Sequence, residues 1–132
     1  MAIKVLDSWA LMAFFEDEPA AEAVEKILEE AAFGRHTLLM SVVNWGEIYY
    51  TTPREVSLAA AEQKLREIAE MQIEIIDADH HLTKQAAIFK AARKMSYADC
   101  FGAAPAKIKN AEFIAGDREF QAVEKEIKIT WL

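Results

Sequence analysis

Cysteine is nearly missing from this chain: Cys100 stands alone among 132 residues, so no intrachain disulfide can form and a reducing compartment is expected. Long apolar runs are missing as well, the longest being far shorter than the ~20 residues of a membrane helix. Met1-Ala2 leads directly into Ile3-Lys4-Val5-Leu6 without a basic segment and a long apolar stretch, so no signal peptide is expected. The protein is therefore read as cytoplasmic, with no membrane partner. There is no Gly-rich phosphate loop and no Ser or Cys in a spacing that suggests a hydrolytic triad. No linker, repeat or low-complexity segment divides the chain. With 53% hydrophobic residues at this length, one core and one domain over 1–132 are expected.

Positive charge is also scarce. Lys and Arg number 15 against 22 Asp and Glu, a formal net charge of −7, which excludes a surface attractive to phosphate all over. A nucleic-acid site would have to be local. The acidic excess lies mainly between Glu16 and Glu74, whereas Lys84, Lys90, Arg93, Lys94, Lys107 and Lys109 fall in the second half. Such runs are first of all solvated faces; Lys90, Arg93 and Lys94 are kept as candidate phosphate contacts.

What is present is a regular alternation of patterns. Ile3–Leu6 is a short apolar run ended by Asp7-Ser8, a buried strand passing into a helix start. Val24, Ile27, Leu28 and Ala31 give the i, i+3, i+4, i+7 spacing of an amphipathic helix that stops near Gly34. A second strand over Thr37–Met40 is followed by a helix capped by Ser41 that carries Trp45, Glu47, Ile48 and Tyr49, with Pro53 at or just beyond its end. Ser57 opens another helix, Ile73–Ile76 is a strand, and Asp79 caps a helix with Leu82, Ala86 and Phe89 on its inner side. A helix over Tyr97–Lys109 contains Pro105, which should kink or divide it. Phe113–Ala115 is a strand ending in Gly116-Asp117, a last helix spans about 119–125, and Ile127, Ile129 and Trp131 alternate as in a half-exposed edge strand. This order predicts an α/β fold with a parallel sheet covered on both faces. Ligands in such sheets gather at the C-terminal strand ends near a switch in strand order, where Asp7 and Asp117 are expected.

Each acid also has an ordinary explanation. Asp7 and Asp117 suit helix N-caps. Glu47, among Trp45, Ile48 and Tyr49, must have a partner, a cleft or an exposed edge. Asp99, in Ser96-Tyr97-Ala98-Asp99-Cys100-Phe101, could be a cap or a hydrogen-bonded helix residue. If the four converge, their repulsion calls for cations, and an oxygen-only set selects hard ions such as Mg²⁺ or Mn²⁺. Water activated by the metal could then attack a phosphodiester without a protein nucleophile.

Val5-Leu6-Asp7-Ser8, Asn44-Trp45-Gly46-Glu47, Ser96-Tyr97-Ala98-Asp99-Cys100-Phe101 and Gly116-Asp117-Arg118-Glu119-Phe120 resemble the PIN-domain nucleases, with the nearest likeness to VapC-type toxins of toxin–antitoxin pairs. The likeness covers nearly the whole chain. It implies a single PIN-like domain with a five-stranded parallel sheet, and Asp7, Glu47, Asp99 and Asp117 as the metal-binding catalytic acids. It also implies Mg²⁺- or Mn²⁺-dependent endoribonuclease activity on RNA, a homodimer and a small antitoxin that inserts into the active-site groove. Ala115 departs from the Ser or Thr that many relatives place before Gly-Asp, and Pro105 is unusual in the helix after Asp99.

Other residues carry weaker signals. His80 and His81 are adjacent and point in different directions on a helix, His36 lies beside Gly34-Arg35 in an expected loop, and Cys100 is read as a packed small residue. Trp9, Trp45, Trp131, Tyr49 and Tyr50 are read as core or interface before base-stacking groups. The Leu11-Met12 to Phe14-Phe15 cluster could fill the core or face a partner. Two other classes of function remain: a catalytically weak module of the same fold that binds RNA or protein, and a phosphoacceptor domain using Asp7.

Overall fold

The computed structural model describes residues 2–52 and 57–132; the boundary expected at Pro53 lies outside them. In chain order the elements are β1 (Ala2–Val5), α1 (Ser8–Phe15), α2 (Ala21–Ala32), β2 (His36–Ser41), α3 (Val42–Thr51) and α4 (Leu58–Glu70). Then follow β3 (Ile73–Ile76), α5 (His80–Ala92), α6 (Tyr97–Ile108), β4 (Glu112–Ala115), a 3-10 helix (Arg118–Val123) and β5 (Lys128–Trp131). The strands form one five-stranded sheet in the order β3-β2-β1-β4-β5, every pair parallel.

The strands are apolar on both sides because both sides are covered. Successive side chains of a strand point to opposite faces, and the two cores sort accordingly. Val5, Leu39, Phe113 and Ala115 join the layer of α5, α6 and the 3-10 helix, together with Phe89, Phe101 and Phe120. Leu6, Leu38, Met40 and Ile114 join the opposite layer with Leu11, Val24, Ile27, Ile48 and Ile68. Leu11 is fully buried, and Met12, Phe14 and Phe15 pack against the same layer, so that cluster fills core. Phe113 has no exposed surface, and its ring lies 4.6 Å from that of Phe120. Truncation of Phe113 to Ala is expected to cost ~3–5 kcal/mol, read as a lower midpoint in urea unfolding.

Local chemistry sets the helix ends. Gly34 takes φ +78 after α2, and the bonds Gly34 N–H to Ala31 O and Arg35 N–H to Glu30 O close a Schellman motif, which requires a left-handed residue. Asp17 after α1 and Asn110 after α6 do the same with φ 51 at each. Helix α6 departs from expectation: it runs undivided through Pro105. Pro105 removes the N–H that would have served the Phe101 carbonyl, but Cys100 through Ala106 are all buried, so packing holds that turn.

The helix expected at about 119–125 is present as a 3-10 helix over Arg118–Val123. In a 3-10 helix residues three apart eclipse, which directs both Phe120 and Val123 into the core. β5 is the sheet edge beside β4, as its alternation predicts. No described helix is long and apolar enough to cross a membrane.

Candidate metal centre

β1 is flanked by β2 on one side and β4 on the other, so the strand order reverses between β1 and β4, and a crevice opens beyond their C-terminal ends. Asp7 follows β1 by way of Leu6, and Asp117 follows β4 by way of Gly116. The Asp7 carboxylate accepts from the Ala10 N–H at 3.1 Å and caps α1, yet it also lines the crevice. Its capping and its place in the cleft are compatible, because an N-cap carboxylate sits at the mouth of its helix.

Two further helix starts bring the other acids. Ser41 accepts from the Val43 N–H at 3.2 Å and starts α3, which carries Glu47. Ser96 accepts from the Asp99 N–H at 3.1 Å and starts α6, so Asp99 lies in its first turn. Glu47 Oε1 accepts from Ser8 Oγ at 3.0 Å and from Asn44 Nδ2 at 2.8 Å. Asp117 caps the 3-10 helix through the Glu119 N–H at 2.9 Å. All four acids singled out in the sequence, Asp7, Glu47, Asp99 and Asp117, line one open cleft of about 420 Å³ with Ser8, Trp9, Met12, Glu16, Thr51 and Phe120.

The electrostatics reflect crowding. Burial first, and then the charges of Asp99 and Glu47, raise the Asp7 carboxyl from 3.8 to about 7 against the lowering effect of the Ala10 N–H. Asp99 is raised from 3.8 to about 6, by burial first and then by Glu119 and Glu47, against a lowering side-chain bond from Ser96 to its carboxylate. Among the described residues no cationic side chain pairs with these groups: the ion pair there joins Arg93 to Glu126.

Several expectations change at this point. Arg93 donates to the Ala122 carbonyl as well as to Glu126, and Lys90 Nζ donates to the Met95 carbonyl at 2.7 Å, so two of the three candidate phosphate contacts are engaged in structure. His36 is buried and bonds the Ile27 carbonyl through Nε2 at 3.0 Å, within β2 and not in a loop. His80 and His81 are exposed at the start of α5, outside the acidic cleft, and Cys100 is buried as expected.

Sequence reasoning missed Glu119. Carboxylate oxygens of Asp99, Asp117 and Glu119 all lie within 4.8 Å of one another; the available signal was a second acid two places after Asp117, but its direction depends on the 3-10 winding. Asn44, Ser8 and Ser96 were also missed as partners of the acids. Short polar residues one or three positions from an acid were the clue. The donor set is all oxygen, and two of its carboxyls are raised toward neutrality by burial and mutual repulsion, a tension that a bound cation relieves. The residues therefore fit a hard divalent ion.

Fold and cleft together define an α/β domain with an acidic crevice at its strand-order switch. The chain belongs to the PIN domain family, whose sequence model matches residues 4–126. Solved structures place it among known folds. VapBC2 from Rickettsia felis, bound to a promoter DNA fragment, is 17% identical with a TM-score of 0.78, over 98% of each chain. DNA-bound VapBC from Salmonella typhimurium is 14% identical with a TM-score of 0.75, over 99% of this chain and 98% of that one. VapBC-5 from Mycobacterium tuberculosis, of a family of toxin–antitoxin systems, is 19% identical with a TM-score of 0.64, over 100% of this chain and 98% of that one. No curated protein matches it in sequence.

Proposed function

We propose that this protein is an endoribonuclease dependent on Mg²⁺ or Mn²⁺ and the toxin of a toxin–antitoxin pair. Asp7, Glu47, Asp99 and Asp117 are its metal-holding acids. The observation that carries this reading is their arrival in one cleft from four separate segments, with none of them in an ion pair among the described residues. When bound, the ion supplies Lewis acidity that favours ionisation of water and stabilises charge developing on a phosphodiester.

The chain's own residues do the rest. The Ala10 N–H fixes one Asp7 oxygen, and Ser8 with Asn44 fixes Glu47. Trp9 and Met12 form an apolar wall of the cleft against which a nucleoside can pack. Arg118, between Asp117 and Glu119 in sequence, stacks over the Trp131 ring at 5.0 Å, which restrains an exposed guanidinium on the segment that carries Asp117. Arg118→Ala is expected to raise KM several-fold with little change in kcat, and to reduce the salt dependence of RNA binding by about one phosphate contact. Titration of RNA binding in EDTA at several salt concentrations checks it.

RNA as substrate, an antitoxin partner, a homodimer and a cytoplasmic place all belong to this reading, supported by family membership and by VapBC structures among the neighbours. The test is cleavage of structured and single-stranded RNAs and matched DNAs, with Mg²⁺ or Mn²⁺ against EDTA, by wild type and Asp99→Asn. Metal-dependent RNA products lost in the variant support the proposal. RNA bound but never cut would make the protein a binding module; equal cleavage in EDTA would overturn the metal role.

A further inference from the structure

Asn44 is 1% exposed, and its carboxamide is shared between two parts of the cleft. Nδ2 donates to Glu47 Oε1 at 2.8 Å and to the Ala98 carbonyl at 3.2 Å. Ala98 immediately precedes Asp99. One amide group thus ties the acid of α3 to the first turn of α6, which carries the acid next to it in the cleft.

The orientation of this amide is fixed by chemistry. Both partners are acceptors, so the NH₂ group must face them. Oδ1 is then turned away, and it is the one buried side-chain polar atom among the described residues with no hydrogen-bond partner. An unpaired buried acceptor is costly, and the amide keeps this orientation because both bonds from Nδ2 require it. A Cβ on Gly102 would lie 2.8 Å from Oδ1, too close to fit without moving the amide. Gly102 therefore leaves open the space beside Oδ1 that this placement of the amide needs.

A second consequence concerns Glu47 itself. Both hydrogen bonds described for its carboxylate, from Ser8 and Asn44, fall on Oε1, which leaves Oε2 as the oxygen for a cation. Hard divalent ions take few carboxylates and demand defined geometry, and a partner that orients a ligand contributes to affinity without touching the ion.

We propose that Asn44, given room by Gly102, is the positioning residue of this site: it sets Glu47 relative to Asp99 so that a single Glu47 oxygen is offered to the metal. This rests on the metal reading above. The test is Mn²⁺ binding, with the metal alone and no RNA, followed by electron paramagnetic resonance alongside thermal unfolding. Asn44→Leu, similar in size but without the donor, and Gly102→Ala, which displaces the amide from behind, are compared with Ile48→Val. That control removes a methylene from a fully buried residue of the same helix and leaves the carboxamide alone.

The expected result is Mn²⁺ affinity at least ~10-fold weaker in Asn44→Leu and Gly102→Ala, within the ~10–100-fold range of such orienting partners, and within about 2-fold of wild type in Ile48→Val. A merely structural role ties affinity to stability, so affinity that tracks the melting temperature across all three variants would overturn the assignment. So would unchanged affinity in a folded Asn44→Leu or Gly102→Ala. If Asn44→Leu does not fold, Gly102→Ala decides alone. Wild type that binds no Mn²⁺ sinks the metal reading and this inference together, whereas binding without the variant effect sinks this inference only.

Discussion

Asp7→Asn is expected to lose metal-dependent hydrolysis by ~10³-fold or more and, without metal, to be more stable than wild type at pH 8. Asn caps helices about as well as Asp, so the bond from the Ala10 N–H survives the change. What disappears is a buried charge. The Asp7 carboxyl stands at about 7 in the fold against 3.8 as its ordinary value, so the folded protein holds the proton more tightly than the unfolded chain. By linkage, the stability contributed by the protonated group is fully present below pH ~4 and is lost as pH rises through ~7.

Asp99, raised to about 6 by burial first, acts in the same direction over a narrower window. Metal-free wild type should therefore lose stability steadily between pH 4 and 8, and Asp7→Asn should lose less. At ~1.4 kcal/mol for each tenfold change in proton affinity, the gain from the substitution at pH 8 is ~2–4 kcal/mol, or ~7–14 °C in Tm for a domain of this size. Mg²⁺ or Mn²⁺ should narrow the gap by stabilising wild type alone. Calorimetric scans at pH 5 and 8, with metal and with EDTA, make the comparison; wild type more stable than the variant at pH 8 in EDTA would contradict this account of Asp7.

Gly116→Ala is expected to damage both stability and activity although it removes no functional group. A Cβ at Gly116 would lie 2.1 Å from Cζ2 and 2.2 Å from Cη2 of Trp9. Those atoms belong to a rigid indole, so the ring must leave or β4 must shift. Trp9 follows Asp7-Ser8 and Gly116 precedes Asp117, which makes this contact the direct tie between the two strand ends that carry acids. Overpacking of this kind costs ~1–3 kcal/mol, and a displacement of ~1 Å at a reacting centre costs ~10²-fold in rate. Trp9→Ala in the same chain should remove most of the penalty of Gly116→Ala, because contacting residues are non-additive. Urea midpoints of the two single variants and the double variant test this; additive losses would show that the indole is not the obstacle.

Much of this molecule is written locally. Asp7, Ser41, Ser57, Asp79 and Ser96 cap the helices they precede, and Gly34 ends α2, because caps depend on neighbours a few residues away. The strands are legible for the same reason: short apolar runs bounded by turn residues. Strand order is different, since β1 pairs with β4 from opposite ends of the chain, and only the assembled sheet brings Asp7 beside Asp117. Glu47 was conspicuous as a carboxylate in an apolar helix, and the cleft gives it a place.

The remainder was hidden by long-range packing. Lys90 and Arg93 look like a free basic face in the sequence, but a carbonyl at Met95 and the Ala122–Glu126 segment take them up. Pro105 should divide a helix, and burial of the residues around it keeps it whole. Asn44 resembles an ordinary polar residue in a helix until α6 closes over it, and Glu119 meets Asp99 only in the assembled fold.

In the proposed site Asp7, Glu47, Asp99 and Asp117 hold one divalent-cation centre together. Mn²⁺ titration of wild type and of the four single Asp→Asn or Glu→Gln variants, each checked for folding, tests it most directly. The account predicts measurable Mn²⁺ binding by wild type and at least ~10-fold weaker binding in every variant; a folded wild type that binds no Mn²⁺, or four variants that bind as wild type does, would contradict it.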